Sequence, residues 1–345
     1  MYTIHYIIYE HFIDNIQSRY NCVKKNTINY HKQGGLSDKI FKIGATIAGT
    51  FVLMIIALLV FQLISESYPV WEKEGFSFII GTDWNPVDGR ESFGALPYIL
   101  GTLVVAAIAM LIGVPLSIGI AMFISDAPSK IGAPLGMLVE LLAAVPSVIY
   151  GLWGLLIFRL YFKDWVEQPL HDLFGDSIFL FSGTPFGLDI LTASVILAIM
   201  IIPTVSAVSR EIMKAVPQQQ KEAAYMLGAT KWEMFKIAVF PYSKTGLVGA
   251  SILGLGRAVG ETMAVTMLIG NATGITAIPS SLFGPSQTTS SIIANEFVEA
   301  SPASLHLPAL IGVALVLLLI AIAINVVAHL LVTKMMKIKE GAINN

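Results

Sequence analysis

Arg257 and Glu261 stand four residues apart in the apolar run GASILGLGRAVGETMAVTMLIGN. A charge at the centre of a membrane helix costs at least about 2.5 kcal/mol, so both side chains must face protein or water rather than lipid. Two readings are open. On one face of an unbroken helix the pair can bind each other, directly or through a partner helix, and fix packing or subunit register. Alternatively they line a translocation path: Arg257 offers its fork of donors to a tetrahedral oxyanion, while Glu261 holds that fork and keeps capture transient. Gly256 and Gly260 form a small-xxx-small stripe that would let another helix approach closely.

A second stretch, VPQQQKEAAYMLGATKWEMFKIAVFPYSK, is too polar to span a membrane and too regular for a loose loop. Pro217 suits the first turn of a helix, because its missing N–H would have no partner there. Residues 218–227 are mostly good helix formers, and Gly228 tolerates the left-handed conformation that ends a helix. Thr230 and Glu233 have the spacing of a capping box for a second helix, which Pro241 is expected to terminate. The result is two short helices joined by a tight turn. Ala223, Ala224 and Gly228 would let another backbone come close, and Glu222 can pair with a cation on a partner. The competing reading lays the hairpin on the membrane surface, with Trp232, Phe235 and Val239 among the headgroups.

Catalytic chemistry finds little support. The chain has no HExxH, GxGD or Gly-x-Ser-x-Gly pattern, and no Gly-Lys dipeptide, so a Walker-type phosphate loop is excluded. Any ATP hydrolysis belongs to another chain, and this one is not read as an enzyme. One cysteine, Cys22, rules out a disulfide framework or a thiolate metal site. Asn325 and His329, four apart near the end of the chain, suit interhelical hydrogen bonding better than metal binding, since no third ligand is near. Glu140 is expected either to line an inner vestibule or to pair across a subunit interface, the pairing being favoured.

The elements that must position these residues are membrane helices. With 55% hydrophobic residues, 13% charged residues and a mean hydropathy of +0.74, the chain belongs in lipid. Six segments reach the roughly 20 apolar residues a span needs: 43–64, 96–124, 133–158, 190–208, 246–270 and 307–332. Sixteen Lys and Arg fall on one side of these segments and four on the other, with none in 271–306. That asymmetry predicts a multi-pass protein with both termini in the cytoplasm and outside loops at 65–95, 159–189 and 271–306. Pro115, Pro146 and Pro203 fall within spans, where kinks are expected. Residues 1–40 are read as a cytoplasmic extension, with disorder and an unused upstream start codon both open; residues 41–340 form one membrane domain. A net charge of −2 gives no sign of a nucleic-acid partner.

Glu222-Ala223-Ala224, Gly228 four residues later and Phe240-Pro241 resemble the EAA loop of ABC importer permeases, with Ala238 and Phe240 departing from that pattern's Ile and Leu. GRAVGETMAV with the following Gly-Asn resembles the fifth-helix signature of phosphate-specific transport permeases. ESFGALPYILGTL and VPSVIYGLWG are similar to their PstC subunits in particular. The resemblance covers residues 41–339. It implies an all-α integral membrane fold of the type I, MetI-like importer class, six transmembrane helices with a cytoplasmic coupling hairpin, in the inner membrane. It further implies a PstA-like second permease, two PstB-like ATPase subunits that hold ATP and Mg, and a PstS-like extracytoplasmic phosphate-binding protein, with no cofactor on this chain. In that family the Arg and Glu matching Arg257 and Glu261 are linked to phosphate passage. A permease for another oxyanion, such as sulfate or molybdate, is the nearest alternative. An ATP-independent channel or secondary transporter is the alternative of another class, but it leaves the hairpin unexplained.

Overall fold

A computed structural model describes residues 36–87, 89–175 and 177–343. Most of the expected N-terminal extension, Cys22 included, lies outside the described residues. The chain divides into two units after Gln62. In the first, the described residues form one helical stretch, the start of α1 (Leu36–Glu74), with Ile43, Ile47, Phe51 and Met54 exposed. A helix apolar on every side suits lipid.

The second unit includes a short antiparallel ribbon, β1 (Trp84–Asn85) on β2 (Ser92–Phe93), pairing Trp84 with Phe93 and Asn85 with Ser92. Just beside it Gly94 crosses Gly81 so closely that a Cβ on Gly94 would lie 2.2 Å from the Gly81 carbonyl carbon. The helices that follow are α2 (Leu96–Asp126), α3 (Ser129–Ala144) and α4 (Ser147–Phe174). Next come α5 (Ile190–Lys214), α6 (Gln218–Met226), α7 (Lys231–Met234), α8 (Phe240–Gly260) and α9 (Met263–Leu268). α10 (Thr289–Glu296) and α11 (His306–Ile343) complete the chain.

Four stretches are unbroken helices of spanning length and apolarity: Asp38–Glu74, Leu96–Asp126, Ile190–Lys214 and His306–Leu330. They coincide with the first, second, fourth and sixth segments expected from the sequence. The other two segments are broken, so six uninterrupted helices are not what forms among the described residues. The third turns through 89° between α3 and α4. Pro146 causes this: its ring disfavours helical backbone at the preceding residue, and Val145 is extended at φ −66°, ψ 128°. The fifth stops at Gly260 and restarts as the six-residue α9. Pro115 and Pro203, by contrast, lie inside continuous helices.

Side chains pack in three layers along the helices. The middle layer joins α2, α5, α8 and α9 through Ala109, Ile196, Met200, Ile201, Val259 and Leu268. Lipid tails are as apolar as these residues, so close contact rather than water exclusion holds this layer together. Glycines make room for it: a Cβ on Gly113 would lie 2.8 Å from Ile201, and one on Gly254 2.5 Å from Val205. The outer layer sets Phe78, Trp84, Phe93 and Tyr98 against Leu310 and Val313 of α11. At the inner layer Ala121, Met213 and Leu247 meet Ala224, Met234, Phe235 and Val239 of the hairpin region.

Candidate functional site

The two broken spans meet. Gly151 of α4 lies so close to α9 that a Cβ there would be 2.9 Å from the Ala264 Cα. The Tyr150 hydroxyl donates to the Leu142 carbonyl at 3.0 Å across the bend, satisfying a backbone acceptor that the break releases.

Arg257 and Glu261 are both half-buried at this junction, but they are not an ion pair. The helix ends between them: Glu261 is extended at φ −69°, ψ 127°, so four-residue spacing no longer places the two side chains on one face. The Arg257 Nη1 donates to the Thr204 hydroxyl oxygen of α5 at 2.7 Å. No carboxylate comes within 4.0 Å of it among the described residues. Glu261 turns instead to the start of α9, where its Oε1 accepts a long 3.5 Å bond from the Ala264 amide. The direct pairing open from the sequence therefore does not form, and a neutral hydroxyl holds the guanidinium.

Gly256 and Gly260 also differ from expectation. No atom lies within 4 Å of where a Cβ would stand on either, whereas Gly246 and Gly254 make the close contacts of α8. The small-xxx-small stripe faces open space in this chain.

Sequence reasoning missed a further part of the junction, the stretch 271–306, which the sequence marked only as an outside loop. Its run Ser286–Ser291 is buried throughout. Thr289 bonds the Thr102 hydroxyl of α2, with the two side-chain oxygens 3.0 Å apart, and Gly101 admits the Gln287 carbonyl against the helix. The Ser290 hydroxyl donates to the Glu261 main-chain carbonyl at 2.9 Å, where the α8 ladder stops. The legible signal was six consecutive small or amide residues without charge, with Thr288 and Ser291 at cap spacing; the structure shows that cap. Gln287 Oε1 is buried there with no partner.

The hairpin forms largely as the spacing predicts. Gly228 is left-handed at φ +83° and ends α6. Thr230 and Glu233 make the capping box, and the Thr230 amide and hydroxyl hold the Glu233 carboxyl below the usual carboxylate range. Pro241 does not terminate the second helix. α7 passes through one wide turn at Phe235–Val239 directly into α8, and such a turn tolerates a ring that lacks an N–H. Phe235 and Val239 pack into protein rather than headgroups, while Trp232 is exposed. Glu222 and Ala223 are exposed, Ala224 is buried, and Met226 and Leu227 at the tip are each 87% exposed.

Elsewhere, Glu140 pairs within the chain, accepting from the Arg210 Nη2 at 2.6 Å, and Gly136 leaves room for that guanidinium. Asn325 donates to the Ala321 carbonyl of its own helix. At the outer start of α5, Glu167 and Asp189 are fully buried together. Asp189 caps the helix through the Thr192 amide, and Glu167 Oε1 accepts from the Thr192 hydroxyl at 2.5 Å. Burial first, and then the neighbouring Glu167, push the Asp189 carboxyl up to about 8. No group of three or more His, Cys, Asp or Glu suited to a metal occurs among the described residues.

Four likenesses bear on this geometry. The model of the binding-protein-dependent transport system inner membrane component family matches residues 113–337. The phosphate transport system permease protein PstC of Pasteurella multocida is 44% identical over 320 residues, 92% of this chain and 96% of that protein. The PstC of Mesorhizobium japonicum is 42% identical over 85% of this chain and 89% of its own length. In fold, the chain resembles a bacterial ABC transporter involved in the import of the acidic polysaccharide alginate, with a TM-score of 0.55 at 16% identity over 86% of this chain and 98% of that one. Broken apolar spans, a capped hairpin running into one of them, and these relatives agree: the chain belongs to the binding-protein-dependent transport system inner membrane components, among their PstC permeases.

Proposed function

We propose that this chain is the PstC-like permease subunit of an ATP-driven phosphate importer, and that phosphate passes the junction of the two broken spans at Arg257. The carrying observation is one of continuity. From Lys231 to Gly260 the backbone is helical without a stop, roughly 45 Å at about 1.5 Å per residue, with the hairpin at one end and Arg257 near the other. Displacing the hairpin displaces the site.

The roles follow from the chemistry. An external, PstS-like binding protein delivers phosphate to the outer loops. Arg257 supplies charge-assisted hydrogen bonds to the anion's oxygens. Irregular backbone in a membrane is tolerated only where it is buried in protein or lines a water-filled path, and the break at Glu261 supplies such backbone beside Arg257. Glu222, Ala223, Gly228 and the exposed tip of the hairpin seat in a PstB-like ATPase subunit, which holds ATP and Mg. Movement there reaches the junction through α7 and α8. Gly256 and Gly260 pack against a PstA-like permease that completes the path. Both termini lie in the cytoplasm, consistent with the distribution of Lys and Arg.

The test is reconstitution of the complete complex in liposomes with loaded binding protein. Phosphate should stimulate ATP hydrolysis and enter the vesicles, sulfate and molybdate should do neither, and Arg257→Gln should abolish uptake while the complex still co-purifies. Stimulation by sulfate, or undiminished uptake in Arg257→Gln, would overturn the assignment.

A further inference from the structure

We infer that Thr204 is a second anion-binding residue of the translocation site and the one that positions Arg257; the inference rests on the reading of Arg257 as the residue that meets phosphate. Thr204 lies half-buried in α5, next to Pro203, on a different span from Arg257. Its hydroxyl oxygen accepts the Arg257 Nη1–H at 2.7 Å, which is the only hydrogen bond of either side chain among the described residues.

Two consequences follow from that single bond. First, hydroxyls on membrane helices commonly donate back to a carbonyl three or four residues earlier. Ser194 and Ser206 on this same helix do so, to the Ile190 and Pro203 carbonyls. Thr204 does not, and among the described residues its proton has no acceptor. A hydroxyl that accepts from a guanidinium and still carries an unused proton can donate that proton to an oxyanion beside the guanidinium. The anion then meets the remaining Arg257 N–H groups and the Thr204 O–H together, donors from two spans.

Second, the anchor is neutral. A flexible arginine side chain needs a partner to hold one direction, and a carboxylate would hold it while cancelling most of its charge. Thr204 fixes the direction and leaves the positive charge whole, and the break at Gly260 carries Glu261 to the start of α9. The site thus keeps its attraction for the anion, and its binding stays weak because few donors are assembled.

The test compares Thr204→Val, Thr204→Ser and Arg257→Gln in the full complex, reading initial phosphate uptake against concentration and co-purification of all subunits. Thr204→Val keeps the shape and removes the hydroxyl; uptake should fall about tenfold or more, the range for a hydrogen bond to a charged group, with normal assembly. Thr204→Ser should restore most of the rate, because it returns the acceptor and the proton. Wild-type uptake by Thr204→Val beside an inactive Arg257→Gln would overturn this inference alone. Wild-type uptake by Arg257→Gln would overturn the reading of the site beneath it. Failure of Thr204→Val to assemble, or of Thr204→Ser to recover uptake, would make the hydroxyl a packing feature and also count against the inference.

Discussion

A half-buried guanidinium held by a single neutral hydroxyl is sensitive to small changes of charge nearby. Val205, the neighbour of Thr204, packs on Gly254 and has no polar role, so Val205→Ala should weaken packing by about 1 kcal/mol or more and leave the apparent affinity for phosphate unchanged in uptake assays. The buried Asp189 carboxyl behaves in the opposite way. Its folded value of about 8 lies above the ordinary 3.8, so its contribution to stability is complete below pH 3.8 and is lost as pH rises toward and through 8. Thermal melting of the purified complex should therefore fall between about pH 4 and pH 8, and Asp189→Asn should flatten that slope. An unchanged slope in Asp189→Asn would assign the pH dependence to other groups.

Helices and turns carry most of what the amino-acid order disclosed. The hairpin was legible because each of its signals is local: Pro217 at a start, Gly228 at a stop, Thr230 and Glu233 three apart. Gly228 is left-handed at φ +83° with no atom near a would-be Cβ, so Gly228→Val should fail through backbone strain rather than crowding, by about 1–2 kcal/mol. It should release the ATPase subunit in pull-downs or lower phosphate-stimulated ATP hydrolysis. Thr230→Ala should cost about 1 kcal/mol of hairpin stability, read as earlier local exchange of the amides of α7. The breaks were less legible. Pro146 announced the first, since proline acts on its neighbour through sterics alone. Nothing local announced the second, because Glu261 and Thr262 are ordinary helix residues; it is sustained from a distance by Ser290, which bonds the Glu261 carbonyl. The same distance hid Thr204, whose importance lies in a contact 53 residues away in sequence. It also hid the burial of Ser286–Ser291, which local polarity argues against.

At the scale of the whole molecule, the packed unit leaves one face of α8 unused. A Cβ on Gly256 or Gly260 has no atom of the described residues within 4 Å, so Gly256→Leu or Gly260→Leu should fold and reach the membrane normally. Co-purification of the second permease should then drop sharply; retained assembly would place the partner on another face. The broken spans have a consequence for how such a chain is made. α9, at six residues, is about 9 Å long, less than a third of the roughly 30 Å hydrocarbon core. No machinery that sorts segments by apolar length can insert it as a span of its own. It must wait beside α8 until α2, α5 and the buried loop ahead of α10 are in place to shelter its ends. On this account the residues proposed to meet the anion settle last during biogenesis, and defects in the loop 271–306 should appear first as immature, protease-sensitive chains rather than as slow transporters.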